Sequence, residues 1–157
     1  MGSLFGQKLR YLRMRQHLTQ ITLAKHLQFM SQGHVSNLEH QRFAPSLDMI
    51  VTVANLFAVQ VAYLVREDLP VQAADEVQYQ RAAGARPLQV QALSPNLTRL
   101  RMQSGLTQAH LAEHLGLAAN AHISYMETGH KLPSVELLLR VADRFGVTVD
   151  DLLTASG

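Results

Sequence analysis

The sequence predicts an all-α protein built from two tandem five-helix units joined by a linker. Three observations carry this. Sliding the chain on itself by 88 positions aligns residues 9–65 with 97–153 without a gap. Within each copy the apolar residues recur at helical spacing. Aromatic residues make up only 6% and Trp is absent, as in small domains packed with Leu, Val and Ala.

The aligned identities run the length of the repeat. Leu9, Leu12, Arg13 and Met14 fall on Leu97, Leu100, Arg101 and Met102, and Leu18-Thr19-Gln20 falls on Leu106-Thr107-Gln108. Leu23, Ala24, His26 and Leu27 fall on Leu111, Ala112, His114 and Leu115. His34, Ser36 and Glu39 fall on His122, Ser124 and Glu127, and Pro45-Ser46 on Pro133-Ser134. Near the end of each copy, Val53, Ala54 and Phe57 fall on Val141, Ala142 and Phe145.

Each helix has its own signal. Leu9 and Leu12 set an i, i+3 face for the first. Thr19 and Thr107 precede the second, where a hydroxyl caps free amides. Val35, Leu38 and Glu39 lie on the third. Pro45-Ser46 stops the chain and caps the fourth, whose apolar face includes Met49, Ile50, Val53, Ala54 and Phe57. Val61, Leu64 and Val65 form the fifth. In the second copy Thr148 and Asp151 have capping-box spacing, and Ser94-Pro95 opens the copy. Domain boundaries are therefore expected at 1–65 and 97–157. Residues 66–96, rich in Gln, Ala and acids with Pro70, Gly84 and Pro87, read as a solvated linker. The alternative there is a short helix presenting Val71, Ala74 and Val77.

Composition narrows the function classes. With no cysteine, disulfides, thiolate catalysis and cysteine zinc sites are excluded, and a reducing cytoplasm is permitted. No apolar run approaches the roughly 20 residues that span a bilayer. The net charge is +2, unevenly spread. Residues 1–65 carry six basic against two acidic groups, for +4, while 66–96 and 97–157 each carry −1. The N-terminal third is thus the part better suited to a polyanion. His110 and His114 share a helix face, but no third ligand stands at metal-site spacing, so no metal is expected. The scattered Ser and His form no nucleophile–base set, so neither catalysis nor a cofactor is expected.

The pattern Leu-Thr-Gln, Leu-Ala, Ser two residues before Leu-Glu, then Pro-Ser at residues 18–46 resembles the Cro/C1-type (XRE, lambda-repressor-like) helix-turn-helix family. Residues 106–134 resemble it more closely. The resemblance implies a cytoplasmic, nucleoid-associated transcriptional regulator, normally a repressor, that binds a double-stranded DNA operator. It implies a third helix in the major groove, with short polar side chains at its exposed start. On that basis Gln32, Gly33, His34 and Asn37 are the base-reading candidates of the first copy, and Asn120, Ala121, His122 and Tyr125 those of the second. Gln20 and Gln108 fall at the phosphate-positioning start of the second helix. Arg42 and Lys131 are further phosphate candidates, and Arg10 and Arg15 are weighed equally between phosphate and solvent. The resemblance pairs Arg13 with Glu39 and Arg101 with Glu127 as structural ion pairs.

Two departures stand out. The spacing from Leu27 to Val35, repeated from Leu115 to Ile123, is one longer than the commoner family spacing, so the turn is enlarged. The family's Glu-x-Gly is present at Glu127-Thr128-Gly129 but becomes Glu39-His40-Gln41, which predicts a distorted helix end in copy one. A homodimer is possible under this reading; no small-molecule ligand and no membrane are called for. The rival reading makes one copy, the second by its charge and its Ala118, Ala119 and Ala121, a dimerisation or partner-binding module.

Overall fold

A computed structural model describes residues 4–28 and 31–156. The chain divides into two compact units, Met1–Ala85 and Arg86–Gly157. The first contains α1 (Phe5–Arg15), α2 (Gln20–His26), α3 (Gln32–Glu39), α4 (Leu47–Phe57) and α5 (Val61–Val65). The second contains α6 (Leu93–Gln103), α7 (Gln108–His114), α8 (Ala121–Glu127), α9 (Val135–Phe145) and α10 (Val149–Leu152). The 88-residue offset holds for the helices as it does for the sequence: α1, α2 and α4 map end to end onto α6, α7 and α9.

Each unit closes around one core. In the first it is formed by Leu9, Leu12, Leu23, Leu27, Val35, Leu38, Ile50 and Val53, and in the second by Leu97, Leu111, Leu115, Ile123, Leu138 and Val141. The helix starts follow the hydroxyl caps. Thr19, Ser46, Thr107 and Ser134 each accept a backbone N–H from the first turn of the helix they precede. Thr148 and Asp151 form the reciprocal capping box. Ser94-Pro95 does not open the second copy as expected. The helix begins at Leu93, so Pro95 lies in a first turn whose amides lack helical partners, and the Ser94 hydroxyl donates to the Glu127 carbonyl. At the equivalent position of copy one, Gly6 lets α1 approach α3 so closely that a Cβ would collide with the Leu38 carbonyl.

The expected 31-residue linker is a correction. Residues 71–75 form a 3-10 helix on the first unit, with Ala73 and Ala74 buried. The Tyr63 hydroxyl donates to the Val71 carbonyl at 2.8 Å. Asp75 accepts from the Tyr11 hydroxyl and from Arg15, both at 2.6 Å. Tyr79 and Arg81 then bond to the backbone of Gln60 and Ala58. The alternative short helix is met in part: Val71 is half-buried and Ala74 buried within it, but Val77 lies beyond it and is 82% exposed. Further on, Leu88 is buried and bridges Thr154 in the second unit. Small alanines pinned by single side chains carry no periodic signal, which is why pattern reading missed this strap.

The expected distortion after Glu39 is also absent. The amides of Gln41 and Arg42 bond to Leu38 and Asn37 carbonyls, and those of Gly129 and His130 bond to Met126 and Tyr125 in the same pattern. This is the Schellman ending, with a left-handed residue after the cap. Among the described residues, four non-glycine residues adopt positive φ: His17 (57°), Gln28 (56°), Gln41 (57°) and Ala58 (52°). Their counterparts 88 positions on are all glycine: Gly105, Gly116, Gly129 and Gly146, with φ of 64–76°. The backbone therefore makes the same turn in both copies, and only the first places a Cβ against its own carbonyl to do so.

Lys8 is fully buried in α1, at a core register that pattern reading passed over. Its Nζ donates to the Tyr63 and Arg66 carbonyls at 2.6 Å each and lies 4.9 Å from the Tyr63 ring centroid. These carbonyls end α5, so the ammonium sits where the helix dipole favours a cation. Copy two solves the same problem without charge: buried Asn96 donates to the Asp151 and Thr154 carbonyls, the matching positions, and to that of Leu152. Burial lowers the Lys8 pKa from 10.5 to about 8, against the pull of Asp68 and Glu67. Burial also raises that of the Tyr63 phenol.

Two predictions follow from these differences. Ala58→Gly and Gln41→Gly each stabilise the first unit by about 1 kcal/mol, while Gly146→Ala destabilises the second by a similar amount. Urea denaturation of the full chain measures both signs. Between pH 8 and 10 the unfolded chain holds the Lys8 proton and the folded chain sheds it. Stability therefore rises with pH by at most about 1.4 kcal/mol per unit. Above pH 10 the raised Tyr63 pKa reverses the slope, because only the unfolded phenol ionises. Lys8→Asn, borrowing the second copy's solution, removes the rise and keeps the fall; melts followed by circular dichroism from pH 7 to 11 test this.

Candidate nucleic-acid interface

The third helix of each unit is held at its rear and free at its front. Glu39 ends α3 and is almost fully buried, with 2% of its side chain exposed. Arg13 of α1 grips it with two parallel bonds, Nε to Oε1 at 2.6 Å and Nη2 to Oε2 at 3.1 Å. A third Arg13 donor reaches the Leu18 carbonyl at 2.8 Å. The Gln20 amide, from the first residue of α2, donates to Glu39 Oε2 at 3.0 Å. One carboxylate thus ties α1, α2 and α3 together. The second unit repeats it: Arg101 meets Glu127 at 2.5 and 3.2 Å and Leu106 O at 2.8 Å, while Gln108 donates to Glu127 at 2.9 Å. The guanidinium fork suits the task, since a lysine offers no planar pair of donors.

Gln20 and Gln108 therefore have a structural partner that sequence reading did not give them. Each amide nitrogen keeps a second hydrogen for an outside acceptor. Both residues are half-buried at the start of their helices, against the C-terminal end of the third helix.

The front turns differ between copies. In copy one the Ser31 hydroxyl accepts the His34 amide and caps α3, leaving Gln32, Gly33 and His34 exposed on the first turn. Asn37 follows one turn on, half-buried, with its Oδ1 accepting from Arg42 Nη1 at 3.1 Å. Arg42 itself is exposed just past the helix. In copy two Ala119 stands where Ser31 does and cannot cap. The helix starts one residue later, at Ala121, with Asn120 making no cap bond. Asn120, His122, Tyr125 and Lys131 are exposed, and Ala121 is half-buried. The sequence-predicted residues of each copy thus lie together on one short helix and the turn after it.

The basic residues of α1 part company. Arg15 is paired with Asp75 of the strap, while Arg10 is exposed with no such partner. Ser31, Phe43 and Asp75 were all missed from sequence. Only Ser31 had a local signal, a hydroxyl immediately before a helix. No group of three metal-ligating side chains occurs among the described residues, and His114 instead accepts from Arg144 at 2.9 Å. No helix is long and apolar enough to cross a membrane.

A helix-turn-helix family model matches residues 9–64, and a second model, described as a helix-turn-helix domain, matches residues 92–155. The chain is a tandem helix-turn-helix protein of the Cro/C1 type. It is 39% identical over 57 residues to the HTH-type transcriptional regulator AnsR of Bacillus subtilis (strain 168), a stretch that is 36% of this chain and 48% of that protein. The chain thus spans about half the length of the curated relative it matches. No solved structure matches it. The two models fall on the two copies and leave out residues 65–91, so the strap is an addition to the helix-turn-helix fold of the first unit.

The buried pair sets a stability prediction. Glu39→Ala leaves a guanidinium unpaired and costs the first unit about 3 kcal/mol. Gln20→Ala costs about 1 kcal/mol, the value of one hydrogen bond. The double change Arg13→Met with Glu39→Leu is much milder than Glu39→Ala, because it strands no charge. Urea midpoints of the three variants give the order.

Proposed function

We propose that this helix-turn-helix chain is a sequence-specific double-stranded DNA-binding transcriptional regulator, acting as a repressor, in which α3 and α8 enter the major groove. One observation carries the proposal. In each unit a short helix is fixed at its buried C-terminal end by the Arg–Glu–Gln cluster and presents a polar, exposed N-terminal end. That is the geometry base-edge readout requires, since a reading helix must be rigid behind and unobstructed in front. The HTH-type transcriptional regulator AnsR, whose similarity to this chain covers 57 residues, supports the regulatory assignment.

In this proposal Gln32, Gly33, His34 and Asn37 meet bases in one half-site, and Asn120, Ala121, His122 and Tyr125 meet bases or backbone in the other. Arg42, Lys131 and the second amide hydrogens of Gln20 and Gln108 contact phosphates. The tether between the units is shorter than the sequence suggested. Arg81 bonds to Ala58 in the first unit and Leu88 bridges Thr154 in the second, so residues 82–87 remain as the connection. Fully extended, they span about 20 Å. A short tether raises the effective concentration of the second head once the first has bound. The operator is accordingly expected to hold two unlike half-sites, read by one chain or by a homodimer.

A second arrangement is favoured by a specific observation: α8 lacks a side-chain cap and begins at Ala121, just after Ala118 and Ala119, in a region of net charge −1. Here the second unit keeps the fold but binds a partner or a second copy. Selection of bound sequences from random duplexes, followed by footprinting, separates the two. If both units read DNA, Asn37→Ala and Asn120→Ala each lower affinity at least about fivefold and relax different halves of the footprint. If only the first does, Asn120→Ala with His122→Ala leaves affinity unchanged and alters the oligomeric state. A wild-type chain that shows no preference among sequences at moderate salt refutes the proposal.

A further inference from the structure

Two histidines occupy the same repeat position, His34 and His122, and their surroundings are not equivalent. His34 is exposed, but its ring is held on two sides. Its Nδ1 lies 3.1 Å from the Ser31 Oγ, and its face or edge meets the Phe43 ring at a centroid distance of 6.1 Å and an interplanar angle of 76°. Phe43 is 40% exposed, an apolar ring left at the surface beside a polar one. At the matching places in copy two stand Ala119 and Lys131, and the His122 ring makes no hydrogen bond among the described residues. Ser31 and Phe43 are thus both peculiar to the first reading helix.

The Ser31 hydroxyl favours one tautomer. Its oxygen already accepts the His34 backbone N–H at 3.2 Å. Donating its own proton to Nδ1 adds the hydroxyl's single donor to the one lone pair already engaged. The other tautomer makes the oxygen accept twice and leaves that donor without a protein partner. With Nδ1 accepting, the neutral ring carries its proton on Nε2, the nitrogen directed away from Ser31. The ring then shows the outside a donor and no acceptor, and the edge-to-face contact with Phe43 limits its rotation.

We propose that His34 is a pre-set donor that selects a guanine edge, through N7 or O6, in the half-site of the first unit, with Ser31 and Phe43 as its positioning residues. This rests on the DNA-reading function proposed above. Guanine offers two adjacent acceptors in the major groove, whereas adenine sets a donor beside its N7, cytosine presents a donor, and thymine offers one acceptor, O4, beside its methyl group. His122, without either neighbour, is free to choose its tautomer and reads its own half-site less strictly.

The test uses the full chain and its selected operator. Each guanine is replaced in turn by 7-deazaguanine, which lacks the N7 acceptor, and binding is measured for wild type, His34→Ala, Ser31→Ala, Ser31→Thr and Phe43→Ala. At one guanine of the first half-site, the analogue or the replacement of guanine by adenine is expected to weaken wild type about tenfold, the worth of one good hydrogen bond. His34→Ala should lose the same amount and become indifferent to the base there. Ser31→Thr keeps the hydroxyl and should keep the preference; Ser31→Ala and Phe43→Ala should blunt it while contacts at other base positions persist. Circular dichroism shows whether Ser31→Ala still folds, and Ser31→Thr with Phe43→Ala carries the test if it does not. The proposal is overturned if His34→Ala retains every base preference, or if it weakens all sequences equally as a phosphate contact would. Either result leaves DNA binding intact, whereas a wild type without sequence preference removes the underlying function as well.

Discussion

One carboxylate in each unit is buried where a helix least favours it. Glu39 and Glu127 end their helices, at the negative pole of the macrodipole, and neither is substantially exposed. Left alone, such a buried charge would destabilise the helix end. The arginine fork and the glutamine amide prevent this, and in doing so they tie three helices to a single pair of oxygen atoms. A hydrophobic replacement would hold the helices as firmly but would not fix their rotation and register as narrowly, because apolar contacts have no direction. For the proposed role of α3 and α8, placing side chains opposite particular base atoms, direction is the useful property.

The repeat made most of this legible. Once residues 9–65 were laid on 97–153, shared residues such as Arg13 and Arg101 marked what the fold needs, and the pairs Arg13–Glu39 and Arg101–Glu127 are both present in the structure. Unshared residues proved harder. Gly105, Gly116, Gly129 and Gly146 mark every left-handed turn of the second copy, yet in the first copy those turns carry His, Gln, Gln and Ala and are invisible from sequence. Lys8 sits at an apolar register of α1 with Phe5, Leu9 and Leu12. Only its alignment with Asn96 reveals that both copies need a polar side chain there, to satisfy carbonyls at the end of the last helix. The strap of residues 70–81 left only the Val71 and Ala74 of a possible short helix, since its anchoring rests on Asp75, Val71 and two small alanines rather than on periodicity.

The two units therefore differ in where their strain and their order lie. The first has strained helix ends, a buried cation and an extra strap, but a well-capped α3 with Ser31, Asn37 and His34 each engaged in a hydrogen bond. The second has relaxed glycine ends and a neutral Asn96, but an α8 without a side-chain cap. That helix gives up the order that a hydroxyl at position 119 would supply. The framework and the front of the third helix thus differ in opposite senses between the two units.

That difference is tolerated because the buried anchor and the exposed polar turn occupy opposite ends of the same helix. The ion pair acts on the last residue of α3 or α8, two turns away from the first. Changing Gln-Gly-His to Asn-Ala-His at the front alters which donors and acceptors face outward without disturbing the buried carboxylate at the back. A change of Glu39 or Arg13, in contrast, releases the whole helix, whatever its front displays. Such a division lets one fold, copied once within a chain, carry two different front turns on the same rear anchor.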